Sequence, residues 1–274
     1  MPPVKHRTAV IHPDAEIAED VEIGPYAVIE GAARIGAGCL IQAHAIIGGH
    51  VVMGERNLIG YGAVIGADPQ DFAFKPDVRS EVRIGNDNRI REHVTIHRGT
   101  TEGSATIVGD HCFLMVGAHL GHNVRLGNHV IIANNSMLGG YVQVEDRVFI
   151  GGGCVFHQFI RVGRLAICQG ASGFSKDIPP FTMAAGRNSV AGLNVVGLRR
   201  AGLSAVQRAE IKAAFALFYR SGLNVKQALA AAGERSWNEQ AQAFWDFVRA
   251  AGKRGLCNFL GTRDAVGMTL LADD

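Results

Sequence analysis

Apolar residues recur at every sixth position along most of the chain. In "ARIGAGCLIQAHAIIGGHVVMGERNLIGYGAVIGAD", residues 33–68, they fall at Ile35, Ile41, Ile47, Met53, Ile59 and Ile65. The frame reaches back through Ile11, Ile17, Ile23 and Ile29. It breaks across 67–81, returns at Ile84, Ile90 and Ile96, and breaks again near 99–106. A last run holds Val108, Leu114, Leu120, Leu126, Ile132, Leu138, Val144, Ile150, Phe156, Val162, Cys168 and Phe174. Period six is neither the 3.6 of a helix nor the alternation of a strand. It fits short strands with a sharp corner after each, three to a coil of about 18 residues, stacked so that the in-phase side chains form an inward ladder. The expected fold is a parallel β-helix of roughly eight coils. Glycine often follows the ladder residue, as at 24, 36, 48, 54, 60, 121 and 139, and is expected there to relieve strain at the corner.

After about residue 190 the period changes. "LSAVQRAEIKAAFALFYRSG" (203–222) has helical spacing at Val206, Ile211, Ala214, Phe215 and Phe218, with Ser204 as N-cap. "SWNEQAQAFWDFVRAAGKRG" (236–255) repeats it with Phe244, Trp245, Phe247 and Val248 and a basic end. The expected division is a β-helix over 1–190 and a small α-helical C-terminal domain over 191–274. The helical part is short to stand alone and is expected to pack on a neighbour.

Composition narrows the function classes. A net charge of +2 over 274 residues gives no nucleic-acid footprint. The chain is 47% hydrophobic, yet no apolar run is long enough for a transmembrane segment, and the N-terminus lacks a secretory core. Five cysteines at 39, 112, 154, 168 and 257 form no CxxC pair. Reduced, packed thiols in a cytoplasmic protein are expected. Cys112 and Cys154 read as strand-like and Cys168 as a ladder residue.

Because the interior of a β-helix is packed, chemistry belongs on its corners and insertions. Three places stand out: the insertion with Asp71 and Lys75, "GAHLGHN" with His119 and His122, and "FHQF" with His157 and Gln158. None of the three histidines is in phase with the ladder. Imidazoles fixed on a rigid corner suit proton transfer near neutral pH. Spacing alone equally allows ordinary hydrogen-bonding histidines, such as His6 or His129. It also leaves open a zinc site drawn from His119, His122, His129 and His157, of the kind that trimeric β-helix carbonic anhydrases carry.

The longer strings narrow the choice. "NRIREHVTIHRGT" (88–100), "AHLGHNVRLGNHVIIANNSMLGG" (118–140), "GGGCVFHQF" (151–159) and "GLNVVGLRRAG" (192–202) resemble the acyl-carrier-protein:UDP-N-acetylglucosamine O-acyltransferase family, which performs the first step of lipid A synthesis. The resemblance covers nearly the whole chain. It implies a left-handed coil and a homotrimer with sites between subunits. The donor would be a 3-hydroxyacyl thioester on acyl carrier protein and the acceptor the 3-hydroxyl of UDP-N-acetylglucosamine, with neither metal nor cofactor. By the same resemblance His122 is the general base and the Gly140 N–H the oxyanion donor. Asp71, His119, His157, Gln158, Asn194 and Arg200 contact substrate. Gly170 sits at the chain-length ruler, where a missing side chain implies a long acyl group of the C14 class. Arg199 and the C-terminal basic residues would attract the acidic carrier protein.

Several positions depart from the family's pattern. Asn123 follows the base histidine where an acid is usual, and an amide supplies no negative charge to an imidazolium. Tyr141 stands where a histidine is frequent, and Ala73 where a lysine is usual. Val196 and Ala201 replace an acid and a second arginine, and "GRNS" (186–189) replaces a Gly-Asn-His string. A related acceptor, such as a UDP-3-amino sugar whose amine needs less help from a base, is the alternative these changes raise.

Overall fold

The computed structural model describes residues 5–260. Residues 261–274 of the expected helical domain lie outside the described residues. The chain is a left-handed parallel β-helix followed by a small helical C-terminal region. Its short strands stack into three sheets of nine, eight and eleven strands. The first face runs from Val10–Ile11 to Gly173–Phe174, the second from Glu16–Ile17 to Arg161–Val162, and the third from Glu22–Ile23 to Asn258–Phe259. Each strand pairs in parallel with the one a full coil later, as Ile11 with Ile29 and Leu120 with Leu138. The exception is the antiparallel pair Thr182–Ala185 and Ser189–Leu193 near the end of the stack.

The ladder is where the six-residue frame puts it. From Ile23 to Phe174 every in-phase residue is buried; only Ile11 and Ile17, at the open end, are half-exposed. A second inward column lies two residues before each ladder residue. It mixes Val21, Ala27, Cys39 and Val94 with the polar Asn57, Asn88, Thr106 and Ser136. Its polar members bond along the axis: Asn57 Oδ1 accepts from the Asn88 backbone N–H and side chain, both at 2.9 Å, and Asn88 Oδ1 accepts from the Cys112 N–H at 2.7 Å. Buried polar groups need such partners.

The role expected of glycine is corrected. Among the glycines that follow a ladder residue only Gly66 has positive φ. Elsewhere the next coil leaves no room: a Cβ on Gly60 would lie 2.5 Å from the Arg91 carbonyl carbon. The left-handed conformation falls three residues after the ladder residue, and mostly on non-glycine residues, among them His44, His93, His129, Asn123 and Tyr141.

All five cysteines are free and buried. Cys39, Cys112 and Cys154 belong to the second inward column, at corners rather than within strands, and Cys168 is in the ladder. Burial pushes the Cys112 thiol up to about 11 and that of Cys257 up to about 12. Both are inert as nucleophiles.

Four helices follow: α1 (Val195–Arg200), α2 (Ala205–Tyr219), α3 (Val225–Gly233) and α4 (Glu239–Arg249). Ser204 caps α2 in a capping box. Ile211, Ala214 and Phe215 are buried, as are Phe244, Trp245, Phe247 and Val248. Val206, counted on the same apolar stripe, is exposed in the first turn of α2. The neighbour on which the helices pack is the end of the β-helix itself. Phe181 sits in the core of the helices, Phe215 joins the β-helix core, and strand Asn258–Phe259 extends the third face. Arg161 ties α4 to the second face: it is bonded to Asp177, donates to the Phe247 carbonyl at 3.1 Å and lies 4.2 Å from that residue's ring.

Candidate active site

Both breaks in the hexad frame open on one edge. The insertion at 68–80 follows the first-face strand Val64–Ala67, and that at 98–104 follows the first-face strand Thr95–His97. They lengthen the pairing interval, so that Val64 meets Thr95 and Glu81 meets Ala105. On this edge, between the first and second faces, His122, Gly140 and Gln158 succeed one another one coil apart. His157 adjoins Gln158, and His119 stands on the first face just before the corner. The fold therefore brings together Asp71, His119, His122, Gly140, His157 and Gln158 along one edge.

His122 is half-buried and its Nδ1 lies 3.0 Å from Asn123 Oδ1. That oxygen also accepts from the Thr100 backbone N–H at 3.1 Å and hydroxyl at 2.9 Å. The Asn123 N–H in turn donates to Thr106 Oγ1 at 2.7 Å. Gly140 packs directly on the imidazole: a Cβ there would lie 2.5 Å from Nε2. The Gly140 N–H donates to no acceptor among the described residues. Several corner N–H groups of the β-helix share that freedom; Gly140 is the one set against the His122 ring. Tyr141 meets His122 edge-on at 5.2 Å and stacks on Phe159 at 4.8 Å.

His119 bonds through Nδ1 to Thr95 Oγ1 at 2.8 Å, and its ring lies 5.1 Å from that of His97. Burial, with the neighbouring His97, lowers its pKa to about 4, so it is neutral at neutral pH. His97 donates through Nδ1 to the Asp68 carbonyl at 2.6 Å, which only accepts. Asp71 is exposed, and its Oδ1 accepts from the Ala73 N–H at 2.9 Å. The insertion that carries Asp71 is pinned by buried Arg98. This guanidinium pairs with Asp68 at 2.8 Å, donates to the carbonyls of Pro76 and Val78, and covers the Phe74 ring. Exposed His157 borders a groove of about 740 Å³ together with Val155, Gly173, Phe174 and Arg187.

Other expected site residues lie elsewhere on the chain. Asn194 is the N-cap of α1: its Oδ1 accepts from the Gly197 N–H and its Nδ2 donates to the Leu165 carbonyl, both at 2.9 Å. Leu165 occupies the edge between the second and third faces, so Asn194 and the exposed Arg200 belong to that side. Gly170 is exposed on the remaining edge, between the third and first faces. His129 stacks on His111 at 4.8 Å on the second-to-third edge, away from His119, His122 and His157. Among the described residues no three His, Cys, Asp or Glu side chains converge to hold a metal ion, and the zinc alternative finds no ligand set there.

Sequence reasoning missed His97, Arg98 and Thr100. All three lie in or beside a frame break, and all three fall within the string "NRIREHVTIHRGT". No period marks them, because an insertion has none.

Known proteins similar to this chain are UDP-N-acetylglucosamine acyltransferases. Residues 177–257 match the family described as Udp N-acetylglucosamine O-acyltransferase, domain 2, and residues 32–67 and 105–140 match the bacterial transferase hexapeptide family. An acyl-[acyl-carrier-protein]--UDP-N-acetylglucosamine O-acyltransferase from Synechocystis is 42% identical over 199 residues, covering 71% of this chain and 72% of its own. The structure of UDP-N-acetylglucosamine acyltransferase from Francisella novicida superposes with a TM-score of 0.88 at 32% identity, over 98% of this chain and 99% of its own. That from Bacteroides fragilis gives 0.88 at 40% identity, over 92% and 99%. The names give UDP-N-acetylglucosamine as the acceptor, and that of the Synechocystis relative specifies O-acylation. The chain belongs to the UDP-N-acetylglucosamine O-acyltransferase family of hexapeptide-repeat transferases.

Proposed function

We propose that the chain transfers a 3-hydroxyacyl group from acyl carrier protein to the glucosamine 3-hydroxyl of UDP-N-acetylglucosamine, the first step of lipid A synthesis. The carrying observation is an imidazole whose Nδ1 faces an oxygen and whose Nε2 lies against Gly140, a residue with an unspent N–H. A sugar hydroxyl is a poor nucleophile at neutral pH. As its oxygen bonds to the thioester carbon, its proton passes to His122 Nε2, an assistance of about 10²–10⁴-fold. The negative charge developing on the thioester oxygen is met by the Gly140 N–H, an effect of about 3–4 kcal/mol for such a donor. Collapse breaks the carbon–sulfur bond, and the departing thiolate takes the proton back from the imidazolium. His119, neutral, donates or accepts toward substrate without competing as a charge.

The working unit in this reading is a homotrimer. The outward positions of the second face include Glu16, Arg34, Arg83, Arg125 and Arg161. Those of the first face include Val28, Ile46, Met137 and Val155, and those of the third Leu40, Phe113, Ile131 and Phe149. Two apolar faces and one charged face suit a threefold assembly in which a first face meets a neighbour's third face. That contact sets the neighbour's second-to-third edge, with Asn194 and Arg200, opposite His122. Arg200 there suits a UDP phosphate. The apolar row below His119, Met137 and Val155, would bed the acyl chain, and Gly170 of the inner edge would limit its length.

Mass spectrometry of products tests the reading. The purified protein is offered UDP-N-acetylglucosamine or its 3-amino analogue, with 3-hydroxyacyl carrier proteins of several lengths. The expected product is the ester of UDP-N-acetylglucosamine with a chain of the C14 class; exclusive amide formation on the analogue, or no product, refutes it.

A further inference from the structure

Asn123 stands where a carboxylate would orient and charge-stabilise the base, and the structure shows what orients the ring instead. We propose that Tyr141, Thr100 and Asn123 form a positioning relay that holds neutral His122 in its Nδ1–H tautomer. The proposal rests on the acyl-transfer reading of this site.

The direction of the bonds to Asn123 follows from the partners. A backbone N–H can only donate, so the Asn123 atom 3.1 Å from the Thr100 nitrogen is the amide oxygen, not the amide nitrogen. This oxygen carries no proton, and it lies 3.0 Å from His122 Nδ1. The proton between them therefore sits on Nδ1, and Nε2 keeps its lone pair. The Thr100 hydroxyl has one proton and gives it to the same Asn123 oxygen at 2.9 Å. Between Thr100 Oγ1 and the Tyr141 hydroxyl, 2.9 Å apart, either oxygen could donate; the relay takes Tyr141 as the donor. The Tyr141 ring stacks on Phe159 with an interplanar angle of 10°, which favours this placement. The Asn123 backbone is also held, in the left-handed region at φ 61°, by its N–H bond to Thr106 Oγ1. A neutral amide thus supplies orientation without charge. The tyrosine that departs from the family's pattern closes the relay from the next coil.

Nitrogen-15 spectra of the full chain with labelled histidine, taken with turnover kinetics, test this. His122 signals are identified by their loss in His122→Gln. The wild type should show a proton on Nδ1 and a free lone pair on Nε2. Asn123→Leu should mix the tautomers and lower kcat about 10- to 10³-fold with KM within twofold. Asn123→Asp, which keeps the acceptor, should restore the Nδ1–H form. Tyr141→Phe removes only the hydroxyl and should lower kcat roughly two- to tenfold while raising the minor tautomer. A wild-type proton on Nε2, or an unchanged tautomer ratio in Asn123→Leu, overturns the relay. An inactive wild type with the stated tautomer removes the acyl-transfer reading alone; an active one with the proton on Nε2 removes the relay alone.

Discussion

At the scale of single residues, the edge between the first and second faces separates two histidines by environment. His122 faces an amide oxygen and Gly140, whereas His119 is desolvated beside His97 and its pKa falls from 6.5 to about 4. An unfolded chain binds the His119 proton near 6.5, while the folded chain resists it down to about 4. In that window the unfolded state holds more protons, so stability should fall as pH drops from about 6.5 toward 4. Denaturant titrations across that range should give a shallower slope for His119→Asn than for the wild type. An identical slope would contradict the assignment. The histidines were visible in the sequence as residues out of phase with the ladder. Their difference was not, because it depends on Thr95 and His97, which only folding places beside His119, and on Thr100, which only folding brings to the Asn123 amide. Asn123 in particular reads in sequence as a lost charge. Only the Thr100 N–H reveals which of its two side-chain atoms faces the ring.

At the scale of elements, the ladder was legible because one apolar residue in six survives every corner and the period resumes after both insertions, shifted by one residue after the first and in phase after the second. The second inward column was not, since Ala27, Cys39, Asn57, Val94 and Ser136 share burial but no chemical class. The glycines were legible as a pattern but not in their cause, which is contact between successive coils. Gly60 and Gly192 separate the two causes: a Cβ on Gly60 meets backbone at 2.5 Å, while one on Gly192 meets nothing within 4 Å. Gly60→Ala should destabilise the fold by about 1–3 kcal/mol, and Gly192→Ala should leave it close to the wild type. Equal midpoints of chemical denaturation for the two variants would show that coil contact is not the constraint. The helices that sequence marked, α2 and α4, are the longest and bury large side chains, Ile211 and Phe215 in α2 and Phe244, Trp245 and Phe247 in α4. The shorter α1 and α3 were silent because α1 buries only Leu198 and α3 only Ala228 and Ala232.

At the scale of the whole molecule, the expected site residues fall on three separate edges of one prism. The residues around His122 share one edge, Asn194 and Arg200 another, and Gly170 the third. The proposed self-association through the two apolar faces would join them, and it is testable apart from chemistry. Light scattering should give three chain masses for the wild type. Phe149→Asp, on the exposed apolar row of the third face, should give a smaller species with lost acyl transfer. A fully active single chain would contradict the shared site. The ruler is a second test of the same assembly. Gly170 has no positive φ, and a Cβ would come 3.1 Å from the Gly152 carbonyl oxygen, so a side chain fits with a small shift. Gly170→Met should move acyl preference toward shorter chains at similar stability; an unchanged acyl profile would remove Gly170 from the groove.

No helix among the described residues is long and apolar enough to cross a membrane, and the donor reaches this reading on a carrier protein. The claim on which the rest depends is that His122 takes the acceptor's proton. Its most direct measurement is kcat/KM for 3-hydroxyacyl carrier protein and UDP-N-acetylglucosamine with wild type and His122→Ala. The account predicts a loss of about 10²–10⁴-fold in a variant that still assembles and melts like the wild type. A His122→Ala protein that turns over at the wild-type rate would contradict it.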